Sequence, residues 1–178
     1  CTLFAIFYVQ SITPIYRASV GLLAPKDPLS FSSAFELLPK EVANQIATNP
    51  HTIFDRFLFN IKSYELKQEV FVNGGFQKKF FRETGINTDQ SVLAIYDSIK
   101  LVRSNGNADL RLEGSKPKVM QEFLTALVEA AKENVNTEIN DITRSLVKTK
   151  INNLSAQIEG LYQKITVQKP MQEQIEKE

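Results

Sequence analysis

Between Ile15 and Ala24 the chain alternates, with Tyr16, Ala18, Val20, Leu22 and Ala24 at one parity and Arg17, Ser19 and Gly21 at the other. A period of two over this length predicts a strand with one buried face. Pro25 and Pro28 predict the turn that closes it. Further on the period changes. Ser32 and Ser33 precede a short helical pattern that Pro39 interrupts and that fades near Ile46. Asn49 and Pro50 then form a helix-start signal, because Asn caps well and a first-turn proline loses no hydrogen bond. Ile53, Phe54, Phe57, Leu58 and Ile61 follow as one apolar stripe at helical spacing.

Ser63 predicts a second cap, opening a helix with Leu66, Val70 and Phe71 inward and a stop at Gly74-Gly75. Phe76 to Glu83 reads as a short helix ended by Gly85. Thr88 to Asp97 reads as another, with Val92, Leu93 and either Ile95 or Tyr96 inward. Ile99–Val102 and Ala108–Leu112 alternate as strands around Ser104-Asn-Gly-Asn107, and Asn-Gly is a strong two-residue hairpin signal.

From Pro117 to about Ile165 there is no further proline, and Gly160 is the one glycine after Pro117. Leu124, Leu127, Ala131, Val135, Ile139, Ile142 and Leu146 step by three and four, with Ser115 as the expected N-cap. Val147, Ile151, Leu154, Ile158, Leu161 and Ile165 continue the rhythm after an offset of one residue. Such a helix is on the order of 70 Å long, too long to lie on a domain of this size. Its second half is expected to project and to seek a second helix. Lys169-Pro170 predicts a break. The fold class expected is α+β: a small mixed sheet packed with short helices, plus one long, projecting, coiled-coil-like helix. The expected divisions are 1–11, an apolar helix end; 12–117, the base; 118–166, the long helix; and 167–178, a polar helical tail.

Composition narrows the function. With 21 Lys and Arg against 20 Asp and Glu, the net charge of +1 lacks the basic excess of a nucleic-acid binder. The single Cys, Cys1, excludes an intrachain disulfide and leaves the compartment open. Cys1 to Val9 is apolar but too short to cross a bilayer, for which about 20 residues are needed. It reads as the outer end of a transmembrane helix, with Tyr8 at the interface, or as a buried strand. A lipoprotein end at Cys1 fits less well, because Leu3, Phe4, Ile6 and Phe7 follow where a polar tether is usual.

The only His, His51, stands at a helix start, and neither a metal cluster nor a Ser-His or Cys-His pair is available. No Gly-rich phosphate loop occurs. No catalytic residue, cofactor site or metal site is therefore expected. Glu129, Glu133, Glu138, Asp141, Arg144, Lys148 and Lys150 lie along the long helix, with Asp141 and Arg144 spaced to pair. They read as a solvated face, or as a polar surface for a sugar chain or a partner, with Arg144, Lys148 and Lys150 the candidates. Seven phenylalanines crowd positions 54–81. Core is expected for Phe54, Phe57 and Phe71, while Phe59 lies off the stripe.

The order of these features resembles the Wzz family of polysaccharide co-polymerases over most of residues 12–165. Three stretches carry it: Pro14-Ile-Tyr16-Arg-Ala18 with the strand Ser19–Leu23; Phe54-Asp-Arg-Phe57 through Leu66–Phe71 to Phe80-Phe81-Arg-Glu83; and the strands Ile99–Arg103 and Ala108–Glu113, leading through Pro117 into the helix. Pro14, Tyr16 and Ala18 match the Tyr-x-Ala strand that opens the family's periplasmic domain. The resemblance implies a bacterial inner-membrane protein facing the periplasm and anchored by a helix on each side. It implies a homo-oligomeric ring that sets the length of O-antigen-like lipopolysaccharide chains made by a separate polymerase. The partners implied are further copies of the chain, the polymerase or nascent polysaccharide, and the membrane, without nucleic acid.

Ile139, Ile142, Leu146, Ile151, Leu154 and Ile158 would then pack helices within or between protomers. The family's returning helix, proline-rich stretch and second transmembrane helix are not among these residues, so a shortened chain is expected. Two other classes remain open. One is a periplasmic export adaptor with a helical hairpin, although adaptors carry many more strands. The other is the external domain of a kinase-bearing co-polymerase.

Overall fold

A computed structural model describes residues 14–24, 50–81 and 89–175. The expectations for Cys1–Val9, Pro25 and Pro28, the 32–46 pattern, Asn49, the side chain of His51, Gly85 and Thr88 lie outside the described residues. Among the described residues the elements are β1 (Tyr16–Leu22), α1 (Pro50–Lys62), α2 (Tyr64–Asn73), α3 (Phe76–Phe81), α4 (Asp89–Ser98), β2 (Lys100–Ser104), β3 (Asn107–Gly114) and α5 (Pro117–Ile175). The class is α+β.

The three strands form one sheet in the order β1-β3-β2. Both pairings are antiparallel, where a mixed sheet is expected from the sequence. Residue chemistry explains the choice. Ala18, Val20 and Leu22 lie opposite Leu112, Leu110 and Ala108, which joins two apolar rows into one face. On the other face Arg17 meets Glu113 in an ion pair of 2.7 Å and Arg111 meets Asp109 at 2.9 Å. An antiparallel sheet tolerates one wetted face. At the hairpin, Asn105 and Gly106 both have positive φ, 49° and 81°, as a two-residue turn between twisted strands requires.

Tyr16 shares the face of the buried row but is not buried. It sits opposite Gly114, at the end of the ladder, and is exposed; the buried row starts at Ala18. Pro14 precedes the strand and is exposed too.

The apolar face of the sheet packs on α5, which also contacts α1, α2 and α3. The core is built from Phe54, Leu58 and Ile61 of α1, Leu66 and Phe71 of α2, and Phe76 of α3. Met120, Phe123, Leu124 and Leu127 of α5 complete it. Phe71 stands edge-on to Tyr96 and Phe123, with ring centroids 5.5 Å apart in each pair. Such pairs add directional preference to the area they bury.

The caps follow the chemistry at most ends. The Ser63 hydroxyl accepts from the Leu66 amide at 3.2 Å, and Gly74 closes α2 with Gly75 at φ 63°. A Cβ on Gly74 would lie 2.3 Å from the Phe76 ring, so the close approach of α3 requires glycine there. In α4, Tyr96 is buried, Val92 and Ile95 are half-buried, and Leu93 faces out.

Two expectations for α5 are corrected. Its first helical hydrogen bond runs from the Met120 amide to the Lys116 carbonyl, so Lys116 holds the N-cap position in place of Ser115. Pro117 then takes the first helical position, where its missing donor costs nothing. The helix also continues through Lys169-Pro170 to Ile175. A proline removes one backbone donor and crowds one carbonyl, a local cost of ~3 kcal/mol. Met171, Gln172, Glu173 and Gln174 beyond it are good helix formers.

Candidate functional site

A helix of 59 residues spans about 88 Å, and the base covers only its first part. Leu124, Leu127, Ala131, Val135 and Ile139 form a row with almost no solvent exposure. The next positions in the row are Thr143, still buried, and Val147, half-buried. From there the cover ends. Ile151, Leu154 and Ile158 are 57%, 46% and 54% exposed, and Leu161, Tyr162 and Ile165 are exposed as well.

The six residues expected to pack helices therefore divide along the chain. Ile139 belongs to the base core, Ile142 and Leu146 are half-buried at its rim, and Ile151, Leu154 and Ile158 lie on a bare seam. Large aliphatics repeated on one line of a helix are a contiguous apolar surface, unlike scattered exposed residues. Counted in heptads, Ile151, Ile158 and Ile165 take position a, while Val147, Leu154 and Leu161 take position d.

The polar candidates flank this seam. Lys148 follows Val147 at position e, and Lys150 precedes Ile151 at position g. Both are exposed. Arg144 lies nearer the base, and its guanidinium is 3.9 Å from the Asp141 carboxylate, the local pair anticipated from their spacing. With side chains this exposed, the pair adds little stability. Lys164 at position g and Tyr162 at position e also border the seam. Neither is among the sequence-derived candidates, although extending the same heptad by one repeat reaches both.

Elsewhere among the described residues the surface offers shallower features. A cleft of about 280 Å³ between α2 and α4 is lined by Tyr64, Phe71, Val72, Val92 and Leu93. The Tyr96 hydroxyl beside it is buried without a hydrogen-bond partner. Burial, and then the neighbouring Tyr64, push its pKa up to about 12. Lys67 donates to the Tyr96 carbonyl at 3.2 Å, and its pKa is lowered by burial against the opposing pull of Asp97.

Phe59 is exposed as its place off the stripe implies. It lies in an open hollow of about 440 Å³ with Asp55, Arg56, Asn60 and Glu138. There Arg56 pairs with Glu138 across α1 and α5, and Asp55 pairs with Arg103 of β2 at 3.0 Å. These charges hold elements together and include no nucleophile–base pair. Among the described residues no group of three or more His, Cys, Asp or Glu could hold a metal ion. Among them, too, no helix is long and apolar enough to cross a membrane. Against these features, the seam on α5 stands out as a run of large exposed apolar side chains at heptad spacing.

Comparison with protein-family models and with curated proteins yields no match.

Proposed function

We propose that this chain is the periplasmic part of a membrane-anchored, non-enzymatic regulator of polysaccharide chain length, working as an oligomer beside a separate polymerase. The observation that carries the reading is α5 itself: one helix rooted in an α+β base that continues past it with a bare apolar seam. A regulator that acts through assembly needs such a surface and needs no reacting groups. The order of strand, Phe-rich helices, hairpin and outgoing helix supports the same reading through the resemblance to the Wzz co-polymerases. On this account the base lies near the inner membrane, and the second half of α5 makes the contacts that build the working complex.

Deletion of the gene in the source organism, with surface polysaccharide resolved on a gel, tests the proposal. The expected result is loss of the modal cluster of long chains. The unaltered gene restores the cluster, and a gene carrying Leu154→Glu with Ile158→Glu does not. An unchanged ladder after deletion would sink the proposal and favour an export adaptor.

A further inference from the structure

We infer that the seam Val147–Ile165 receives an amphipathic helix whose flanking positions are acidic, and that a second copy of the same seam is not its occupant. The inference rests on reading the second half of α5 as a docking arm, but it does not depend on the polysaccharide.

The seam's shape specifies a helix. Val147, Ile151, Leu154, Ile158, Leu161 and Ile165 step by four, three, four, three and four, over about 27 Å of axis. Ile at every a position and Leu at two of three d positions is the side-chain geometry that favours packing of two helices. The stripe is narrow. Asn152, Asn153, Glu159 and Gln163 fill positions b, c and f on either side of it. A helix lying in a bilayer surface has a broader apolar face, whereas a stripe confined to a and d is a coiled-coil seam. A sugar chain has no row of aliphatic groups to fill it.

The seam's charge selects which helix. Positions e hold Lys148, Ser155 and Tyr162, and positions g hold Lys150, Gln157 and Lys164. No carboxylate borders the seam, since Glu159 stands at position b. In a parallel pair each g residue faces an e residue of the other helix; in an antiparallel pair e faces e and g faces g. Two parallel copies of this seam would set Lys150 against Ser155 and Gln157 against Tyr162, and an antiparallel pair would set lysines against lysines, so neither arrangement gains an ion pair. A helix with Glu or Asp at its flanks meets every lysine with an opposite charge.

The test uses two synthetic peptides with Ile at a and Leu at d, one carrying Glu and the other Lys at every e and g. Each is titrated into the 178-residue chain at low and at physiological salt, with peptide fluorescence anisotropy as the readout. Vesicles containing phosphatidylglycerol are titrated in parallel. The Glu peptide is expected to bind at least about tenfold more tightly than the Lys peptide, as three exposed flank pairs imply, with the gap narrowing as salt rises. Lys148→Glu, Lys150→Glu and Lys164→Glu together should invert the preference. Leu154→Ser with Ile158→Ser should remove binding of both peptides while leaving the melting of the base unchanged.

Equal affinity for the two peptides, or binding of neither, overturns the inference. So does self-association in sedimentation that the serine variant abolishes, or seam-dependent binding of vesicles alone. A normal polysaccharide ladder after gene deletion, together with Glu selectivity, would remove the polysaccharide reading and leave the docking helix standing.

Discussion

The two halves of α5 share one backbone and one apolar rhythm but live in different surroundings. Residues 117–143 bury Phe123, Leu124, Leu127, Ala131 and Val135 against the sheet and the short helices. Residues 144–166 leave Ile151, Leu154, Ile158, Leu161 and Ile165 in water. Charge changes sign along the same line. The first half carries Glu122, Glu129, Glu133, Glu138 and Asp141 against Lys118 and Lys132; the second carries Arg144, Lys148, Lys150 and Lys164 against Glu159. Periodicity marks a surface as apolar without saying whether its cover is built in. In the first half the fold supplies the cover. In the second the helix persists on propensity and its own hydrogen bonds, and its packing energy is still available to a partner.

Substitutions at matched positions should expose this difference, and the largest effect belongs to the base. Phe123→Ala removes a fully buried ring touching Phe71 and Phe76, and should cost about 3–5 kcal/mol in denaturant unfolding. Leu154→Ala, on the same helix, should change the same measurement by less than about 0.5 kcal/mol. A comparable loss at both positions would show that the two halves fold as one packed body.

A smaller effect separates packing from polarity inside the base. The Tyr96 hydroxyl is buried with no partner, so Tyr96→Phe should raise stability by about 1 kcal/mol. The pH dependence has a definite sign. Burial raises the phenol from an ordinary 10.0 to about 12 in the folded chain, so the unfolded chain loses its proton first. Stability from this group is intact below pH 10 and is lost as pH rises through the window up to about 12. Tyr96→Phe should lack that loss in unfolding curves collected across the window.

The last effect is local to the arm. Gly160 has open space where a Cβ would lie, so Gly160→Ala should strengthen the exposed half by about 1 kcal/mol of helix propensity. Helical circular dichroism should rise while the melting of the base stays put.

Local chemistry was readable in advance wherever the signal sat in a few neighbouring residues. The Asn105-Gly106 turn, the Ser63 cap, the Gly74-Gly75 stop and the Phe54–Ile61 stripe all depend on spacing and φ preference alone. What escaped depends on partners far along the chain. The antiparallel pairing of β1 with β3 joins segments about ninety residues apart, which no window reveals. Tyr16 and Leu93 share the parity or face of core residues, but the core ends before it reaches them. Pro170 and Lys116 show a third limit: a favoured break or cap residue is overridden when the neighbouring backbone already has its helix. For the seam, the stripe itself was visible in the heptads. Its projection follows from the length of the helix, but the residue at which cover stops does not, because only the position of the base determines it.

The base carries the stability of the fold, and on the proposed reading the arm beyond Thr143 is a docking surface. Amide hydrogen exchange along α5 separates the two halves. Slow exchange, at the global unfolding free energy, is expected for residues 123–139, and much faster exchange through local opening for residues 151–165. Addition of the Glu-flanked peptide should slow only the second group. Uniform slow exchange along the whole helix in the chain alone would show that the arm is part of the packed base.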